Sequence, residues 1–388
     1  MGDEKNKRTR AGNWVKQIEG YRAFMPTQLP PKPSLIIDSE LISLLTQATH
    51  NVGQLSMLTS LIQNPDLFVY VYVQKEALLS SQIEGTQCSL EDILEEDGTH
   101  HERRDDIEEV SNYVTAMNEG IKRLPELPVS SRLIKEIHKI LMSGVRGSNK
   151  TPGDFRRSQN WIGRPGANLN TADFVPPPPD VVDTCMKDLE NYIHNDDSLP
   201  PIIKAGLVHA QFETIHPFLD GNGRLGRLLI TFLLCDWKIL DRPLLYLSYF
   251  FKANRTEYYS KLTDVRHKGD WEGWIKFFLR GVSETASMAT QTAKEIHFLH
   301  SKDRESLKSV RSTQVLTNTF DLFCYFPIIS LPQVALRLKI ALPTAQRAID
   351  KLNELGIVHE TTGRQRYRRY VYRNYLEIIR RDTITPTG

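Results

Sequence analysis

Apolar residues recur at three- and four-residue steps through most of this chain, and the strict alternation of a half-buried strand is nearly absent. From Asp38 to about Leu124, Leu41, Leu44 and Leu45, then Leu55, Leu58 and Ile62, keep helical register and predict a bundle segment. Helical reading resumes at Pro200, where Ile203, Leu207, Ala210 and Thr214 share a face. "LLITFLLCDW", 228 to 237, is apolar on all sides, as befits a helix in the middle of its domain. Trp271, Trp274, Phe277 and Phe278 follow core spacing, and a more polar helical stretch runs on to about Ser312. Two stretches break the pattern. "MPTQLPPKP", 25 to 33, reads as an extended linker, so ordered structure is expected to begin near Pro33. Between 151 and 180, Trp161 and Ile162 face Phe174 and Val175 across a Gly/Pro/Asn-rich turn, which predicts a short hairpin ended by a stiff spacer at Pro176 to Pro179.

Composition adds limits. The 388 residues are 40% hydrophobic with a formal charge of +2, enough for two to three domains and too balanced to demand nucleic acid or membrane as partner. Cys88, Cys185, Cys235 and Cys324 lie far apart with no zinc-ligand spacing, which suits reduced thiols. The segment from Met1 to Lys16 is polar and basic without an apolar signal core, and no apolar run of about 18 residues follows. A cytoplasmic protein without a membrane partner is expected.

The chemistry concentrates in "HPFLDGNGRLGR", 216 to 227. Pro217 ends the preceding helix, which leaves His216 at a helix end beside a loop, the one group there able to take a proton near neutrality. Gly221 and Gly223 can turn successive N–H groups inward where the next helix begins, a natural phosphate cradle. Arg224 and Arg227, three apart, can reach one anion from one helix face. Asp220 would repel phosphate unless a cation intervenes, and a single carboxylate plus phosphate oxygens is a common way to hold Mg²⁺. A magnesium nucleotide is the implied ligand.

That string resembles the full signature of the Fic family, HPFx(D/E)GNGRxGR, at every fixed position. The resemblance implies a mainly helical, all-α fold with a β-hairpin flap, and transfer of AMP from ATP to a hydroxyl side chain of a target protein. It implies His216 as catalytic base, Asp220 as Mg²⁺ ligand, and Gly221, Asn222, Gly223 and Arg224 as contacts to the α- and β-phosphates. Arg227 would hold the γ-phosphate. Ile162 and Gly163 correspond to the flap that registers the target main chain, and "NRTEYYSKL", 254 to 262, to a contributor to the adenine pocket, with Tyr258 preferred over Tyr259. "SSQIEG", 80 to 85, is weak by itself, since a serine and a glutamate one helical turn apart are common. It resembles the family's (S/T)xxxE(G/N) inhibitory motif, which implies that Ser80, Glu84 and Gly85 form a brake in which Glu84 pairs with Arg227.

Other conspicuous residues read blandly. His209 is expected as a hydrogen-bonded core histidine, Glu91, Asp92, Glu95, Glu96 and Asp97 as a solvated helix end, and Lys5, Lys7, Arg8 and Arg10 as part of a disordered tail. From 313 onward, a helix, a break, a second helix from Pro343 to Gly356 and the arginines Arg364, Arg366, Arg368 and Arg369 around a glycine turn resemble a winged helix-turn-helix. Thr344, Gln346 and Arg347 would face outward as base readers, while Asp350 and Glu354 on that face oppose phosphate, so DNA binding is disfavoured. The expected division is a flexible tail at 1–32, an N-terminal helical region with the inhibitory helix at 33–125, a Fic core at 126–283, a connecting helix at 284–312 and the winged helix at 313–388. The competing functions are a nucleotide-sensing, DNA-binding transcription regulator, removal of AMP, and transfer of another phosphate-containing group such as phosphocholine. A homodimer is left open.

Overall fold

A computed structural model of the protein describes residues 8–61, 65–94, 104–196, 198–308, 310, 313–361, 368–381 and 383. Its centre is two consecutive helices, α7 (Pro201–Ile215) and α8 (Asn222–Asp236), joined by the His216–Gly221 loop. From Ile202 to Ile215 and from Leu225 to Cys235 every side is buried, so the stripe expected at Ile203, Leu207, Ala210 and Thr214 is one face of a helix covered all round. That position requires other helices outside it. They are α1 (Ser39–Leu61), α2 (Pro65–Ile83), α3 (Leu90–Leu94), α4 (Arg104–Arg123), α5 (Ser131–Leu141) and α6 (Val182–His194) on the N-terminal side. α9 (Ser248–Ala253), α10 (Arg255–Lys268) and α11 (Trp271–Lys308) follow the core pair.

The Asp38 carboxylate accepts from the Leu41 N–H at 2.8 Å and starts α1 where the sequence pattern begins. Ile62 lies outside the described residues. α1 packs along α11, which at 38 residues runs unbroken through the expected division at 283/284. Trp271, Trp274, Phe277 and Phe278 are buried, and the Trp274 indole donates to the Gly206 carbonyl at 2.8 Å.

The N-terminus departs from expectation. Instead of a tail, strands β1 (Gly12–Lys16) and β2 (Arg22–Pro26) pair antiparallel with Trp14 opposite Phe24. Trp14, Phe24 and Phe174 form an aromatic cluster with ring centroids 5.4 to 5.9 Å apart, and the Phe24 N–H donates to the Val175 carbonyl at 2.9 Å. Arg10 is bound to both carboxylate oxygens of Glu272. Polar sequence hid this hairpin because its hydrophobic payload is a few large rings rather than a periodic run. Lys5 and Lys7 lie outside the described residues. The expected linker is also tied down, with the Gln211 amide donating to the Thr27 carbonyl at 2.8 Å.

The expected hairpin at 161–175 is a single antiparallel pair, Ile162 with Phe174, joined by hydrogen bonds of 2.8 and 3.0 Å. Pro176 to Pro178 are buried rather than a spacer, and their carbonyls accept from Gln159 and Arg156. In the acidic stretch, Asp92 is buried and caps the Ser89 N–H at 2.8 Å, and Glu91 pairs with Arg380. Glu95, Glu96 and Asp97 lie outside the described residues.

At the C-terminal end, α12 (Gln314–Tyr325), α13 (Leu331–Leu338) and α14 (Leu342–Glu354) pack with a three-stranded sheet. Its strands β3 (Ile328–Ser330), β4 (His359–Glu360) and β5 (Arg369–Val371) stand in the order β3-β5-β4, and α15 (Arg373–Arg380) docks on α11. Ala345, Ala348, Ile349 and Leu352 form the buried face of α14, with Leu355 half-buried at its end. The Gln346 amide is engaged by Asp350 at 2.7 Å and the Tyr370 hydroxyl at 3.2 Å. Arg364 and Arg366 lie outside the described residues. Among the described residues no helix is long and apolar enough to cross a membrane.

Candidate active site

His216 caps α7 in the left-handed region, with φ 49° and ψ 60°, its N–H still bonded to the Phe212 carbonyl at 2.9 Å. The strained backbone is held from outside: the buried Arg156 guanidinium donates to the His216 carbonyl at 3.0 Å and to the Ile215 carbonyl at 3.3 Å. Asn160 reaches the Phe218 carbonyl at 2.8 Å. Burial, with the charges of Arg266 and Arg156, pulls the imidazole well below its ordinary pKa, so the ring is neutral and able to accept a proton.

The turn into α8 is made by Gly221 at φ 74°. A side chain there would be strained and would meet the Met142 sulfur 2.6 Å from its Cβ. Gly223 is helical, not turned as its composition suggested; its use is space. A Cβ at Gly223 would stand 2.2 Å from a Glu84 carboxylate oxygen. Asn222 acts as a staple, its side chain accepting from the Phe218 N–H at 2.9 Å and donating to the Phe218 carbonyl at 2.8 Å. What remains of Asn222 for a ligand is its backbone N–H, which with those of Gly223 and Arg224 opens the helix without an acceptor inside it.

The two signature arginines diverge. Arg227, 2% exposed, donates from Nε to the Ser80 hydroxyl at 2.8 Å and from Nη2 to the Ser80 carbonyl at 2.9 Å and Glu84 Oε1 at 2.7 Å. Burial opposes its charge, but Glu84 and the nearby phenols of Tyr258 and Tyr259 hold the guanidinium well above its usual pKa. Arg224 meets the Met142 sulfur at 3.3 Å and stands 3.6 Å from the buried Glu109, while its Nε and Nη1 have no hydrogen-bond partner among the described residues. Glu109 also accepts from the Thr86 hydroxyl at 2.9 Å and faces Arg146 at 3.6 Å. Gly85, at φ 104°, ends α2 directly beside this junction.

Asp220 projects from the loop between the helices. Burial raises its pKa, but hydrogen bonds from Lys150 at 3.0 Å and the Gly221 N–H at 2.8 Å, with the charges of Lys150 and Arg224, bring it below the usual value. His138, stacked on Phe218 at 3.7 Å, accepts from the Gly153 N–H and so donates from Nε2 to the Asp220 carbonyl at 3.0 Å. A cleft of about 280 Å³ is lined by Glu84, Arg146, His216, Leu219, Asp220, Gly221, Asn222, Gly223 and Arg224. A base, a carboxylate, an amide-rich helix start and the Arg224 guanidinium therefore line one cleft.

Residues 42–122 match the model described as Fic/DOC family N-terminal, and residues 128–234 match the Fic/DOC family model itself. The chain belongs to the Fic/DOC family. It is 28% identical over 203 residues to a probable protein adenylyltransferase of Aquifex aeolicus, covering 51% of this chain and 56% of that one. To the protein adenylyltransferase Fic of Drosophila grimshawi it is 26% identical over 205 residues, covering 52% and 38%. The chain thus spans about half or less of the length of these curated relatives. A crystal structure of a Fic family protein from Desulfovibrio desulfuricans G20 superposes with a TM-score of 0.55 at 21% identity, over 87% of this chain and 97% of that one, and shares its fold.

In this Fic protein not every expected residue reaches the cleft. Tyr258 is corrected from pocket to core: it is 1% exposed and its hydroxyl pairs with His209 at 2.8 Å, while Tyr259, 39% exposed, carries the accessible ring, with Arg255 over it. His209, bonded also to the Gly226 carbonyl at 3.0 Å, is the core histidine that its spacing suggested. Ser80 and Arg227 lie beneath the cleft, and Ile162 and Gly163 stand on the flap. Arg146, Lys150 and Glu109 escaped sequence reasoning because they come from separate elements that only packing brings together. Glu213, the one carboxylate in the buried helix α7, did leave a signal three residues before His216.

Proposed function

We propose that this Fic protein transfers AMP from ATP to a hydroxyl side chain of a target protein and is restrained by Glu84. The observation that carries this reading is the 2.7 Å pair between Arg227, beneath the cleft, and Glu84, which lines it together with His216 and the α8 N-terminus. His216 takes the proton of the acceptor hydroxyl. The oxygen then bonds to the α-phosphorus as the bond to the β-phosphate bridging oxygen breaks, and pyrophosphate leaves. The N–H groups of Asn222, Gly223 and Arg224 and the unpaired donors of Arg224 hold the inner phosphates. Arg227 takes the γ-phosphate once Glu84 moves away.

The site fits Mg²⁺ brought in with ATP. Among the described residues no group of three or more His, Cys, Asp or Glu could hold a metal alone, which leaves Asp220 with the phosphate oxygens as the donor set. Mg²⁺ would supply neutralisation of phosphate charge there. Lys150, on Asp220 at 3.0 Å, would have to yield its place. Tyr259 takes the adenine role expected of Tyr258; on the flap, the Ile162 N–H and carbonyl are both engaged by Phe174, so it is the neighbouring Gly163 that presents main-chain groups to the target.

Labelling with [α-³²P]ATP tests the reading. Glu84→Gly should label itself or proteins of a lysate at least about tenfold more than the parent, and Glu84→Gly/His216→Ala should return to background while still binding ATP. Equal labelling by parent and Glu84→Gly would refute restraint by Glu84, and full labelling without His216 would refute the base.

A further inference from the structure

We infer that Glu213 is the positioning residue of His216, holding the imidazole through Nδ1 so that Nε2 faces the acceptor hydroxyl. The consequence for turnover rests on the transfer reading above; the placement of the ring can be tested without it.

Glu213 Oε2 stands 3.9 Å from His216 Nδ1, about 1 Å beyond hydrogen-bond reach. Residues three apart at a helix end are neighbours in any case, so proximity alone would mean little. Two further observations separate this pair from chance. His216 Nδ1 and Glu213 Oε1 are both buried and have no hydrogen-bond partner among the described residues, a condition that native sites rarely leave without use. The carboxylate is also wedged against the signature helix: a Cβ at Gly226 would lie 2.4 Å from Glu213 Oε1, so glycine there lets α8 close over it.

The surroundings suit a carboxylate that answers an imidazolium. Burial, Arg266 and Arg156 oppose a positive charge on His216, while the main chain of Glu213 and the charge of Asp220 favour it, so the carboxylate of Glu213 acts beside its own backbone. Glu213 is pushed up to about 7 by burial, with Arg227 and Arg266 drawing it towards its ionised form, Glu84 opposing, and the Tyr258 phenol beside it. A base that takes the hydroxyl proton on Nε2 must already carry its other proton on Nδ1, and the nearby side-chain acceptor for that proton is Glu213. Small closure of the pair is what a site at rest needs to complete on binding substrate. Departure of Glu84 removes one opposing charge from Glu213, so release of the brake also strengthens the carboxylate behind the base.

The test uses the full chain carrying Glu84→Gly, labelled with ¹⁵N-histidine, the His216 signals being assigned by their loss in His216→Ala. Two variants are added to it: Glu213→Met, similar in length and without an acceptor, and Glu213→Gln, which keeps a neutral one. The expected results are an Nδ1–H tautomer in the parent, its loss in Glu213→Met, and a fall in kcat of at least about tenfold for both variants with ATP affinity unchanged within about twofold. An unchanged tautomer in Glu213→Met, or a loss of kcat matched by an equal loss of ATP affinity, would overturn the inference. If the Glu84→Gly chain labels nothing, the transfer reading falls, and the tautomer still decides the placement.

Discussion

Glu84 Oε1 lies 2.7 Å from Arg227 Nη2 and 2.2 Å from where a Cβ of Gly223 would stand, so one carboxylate both neutralises the second signature arginine and roofs the start of α8. Arg227 is also pinned from the last turn of α2, just before Glu84, by the hydroxyl and carbonyl of Ser80. One short segment thus sets the charge at the floor of the cleft and the space above it.

Ser80 is the partner of Arg227 Nε. Ser80→Ala should cost about 1–3 kcal/mol, because it strands a donor on a buried guanidinium, and urea unfolding would measure it. A change below about 0.5 kcal/mol would mean that another acceptor takes over.

Arg224, in a 3.6 Å ion pair with Glu109, keeps two buried nitrogens without a hydrogen-bond partner among the described residues, beside the helix start. Arg224→Ala should lower ATP affinity about tenfold to a hundredfold, since charge-assisted bonds to phosphate are among the strongest available, with titration calorimetry as the readout. Unchanged affinity would remove the phosphates from this cleft.

Trp14 ties the N-terminal hairpin to Phe174, which pairs with the flap residue Ile162. Trp14→Ala should cost about 3–5 kcal/mol and speed hydrogen exchange at the Ile162 amide, tested by denaturation with mass-spectrometric exchange. Unaltered exchange at Ile162 would uncouple hairpin from flap.

Glu76, one turn before Ser80, is lifted from 4.5 to about 7 by burial, against the hydrogen bonds of Ser248 and Tyr113 and the charge of Arg227. The folded chain therefore binds more protons than the unfolded one between these values, and stability falls as pH rises through that window, by up to about 3 kcal/mol from this group. Glu213 acts in the same direction. Buried His138, His209, His216 and His300, all lowered from 6.5, act in the opposite direction, so the group is isolated by comparison with the parent: Glu76→Gln should shift the difference between urea midpoints at pH 5 and pH 8 in favour of pH 8, and an unchanged difference would mean that Glu76 does not titrate in this window.

The helical class, the joining of two core helices by a reactive loop, and His216 at a helix end were legible in the sequence, because periodicity and proline act locally on the backbone. So were the core roles of His209 and Trp274, which follow from spacing. The N-terminal hairpin was not, since its stability comes from Trp14 and Phe24 meeting Phe174 some 150 residues away. Nor was the divergence of Arg224 towards Glu109 and of Arg227 towards Glu84, nor the burial of Tyr258 in place of Tyr259. The sequence by itself determined which groups are available and on which element each sits. Only the tertiary structure decided which carboxylate each cation meets, because charges from α2, α4 and α8 become neighbours through packing, and burial then sets how strongly they act on one another.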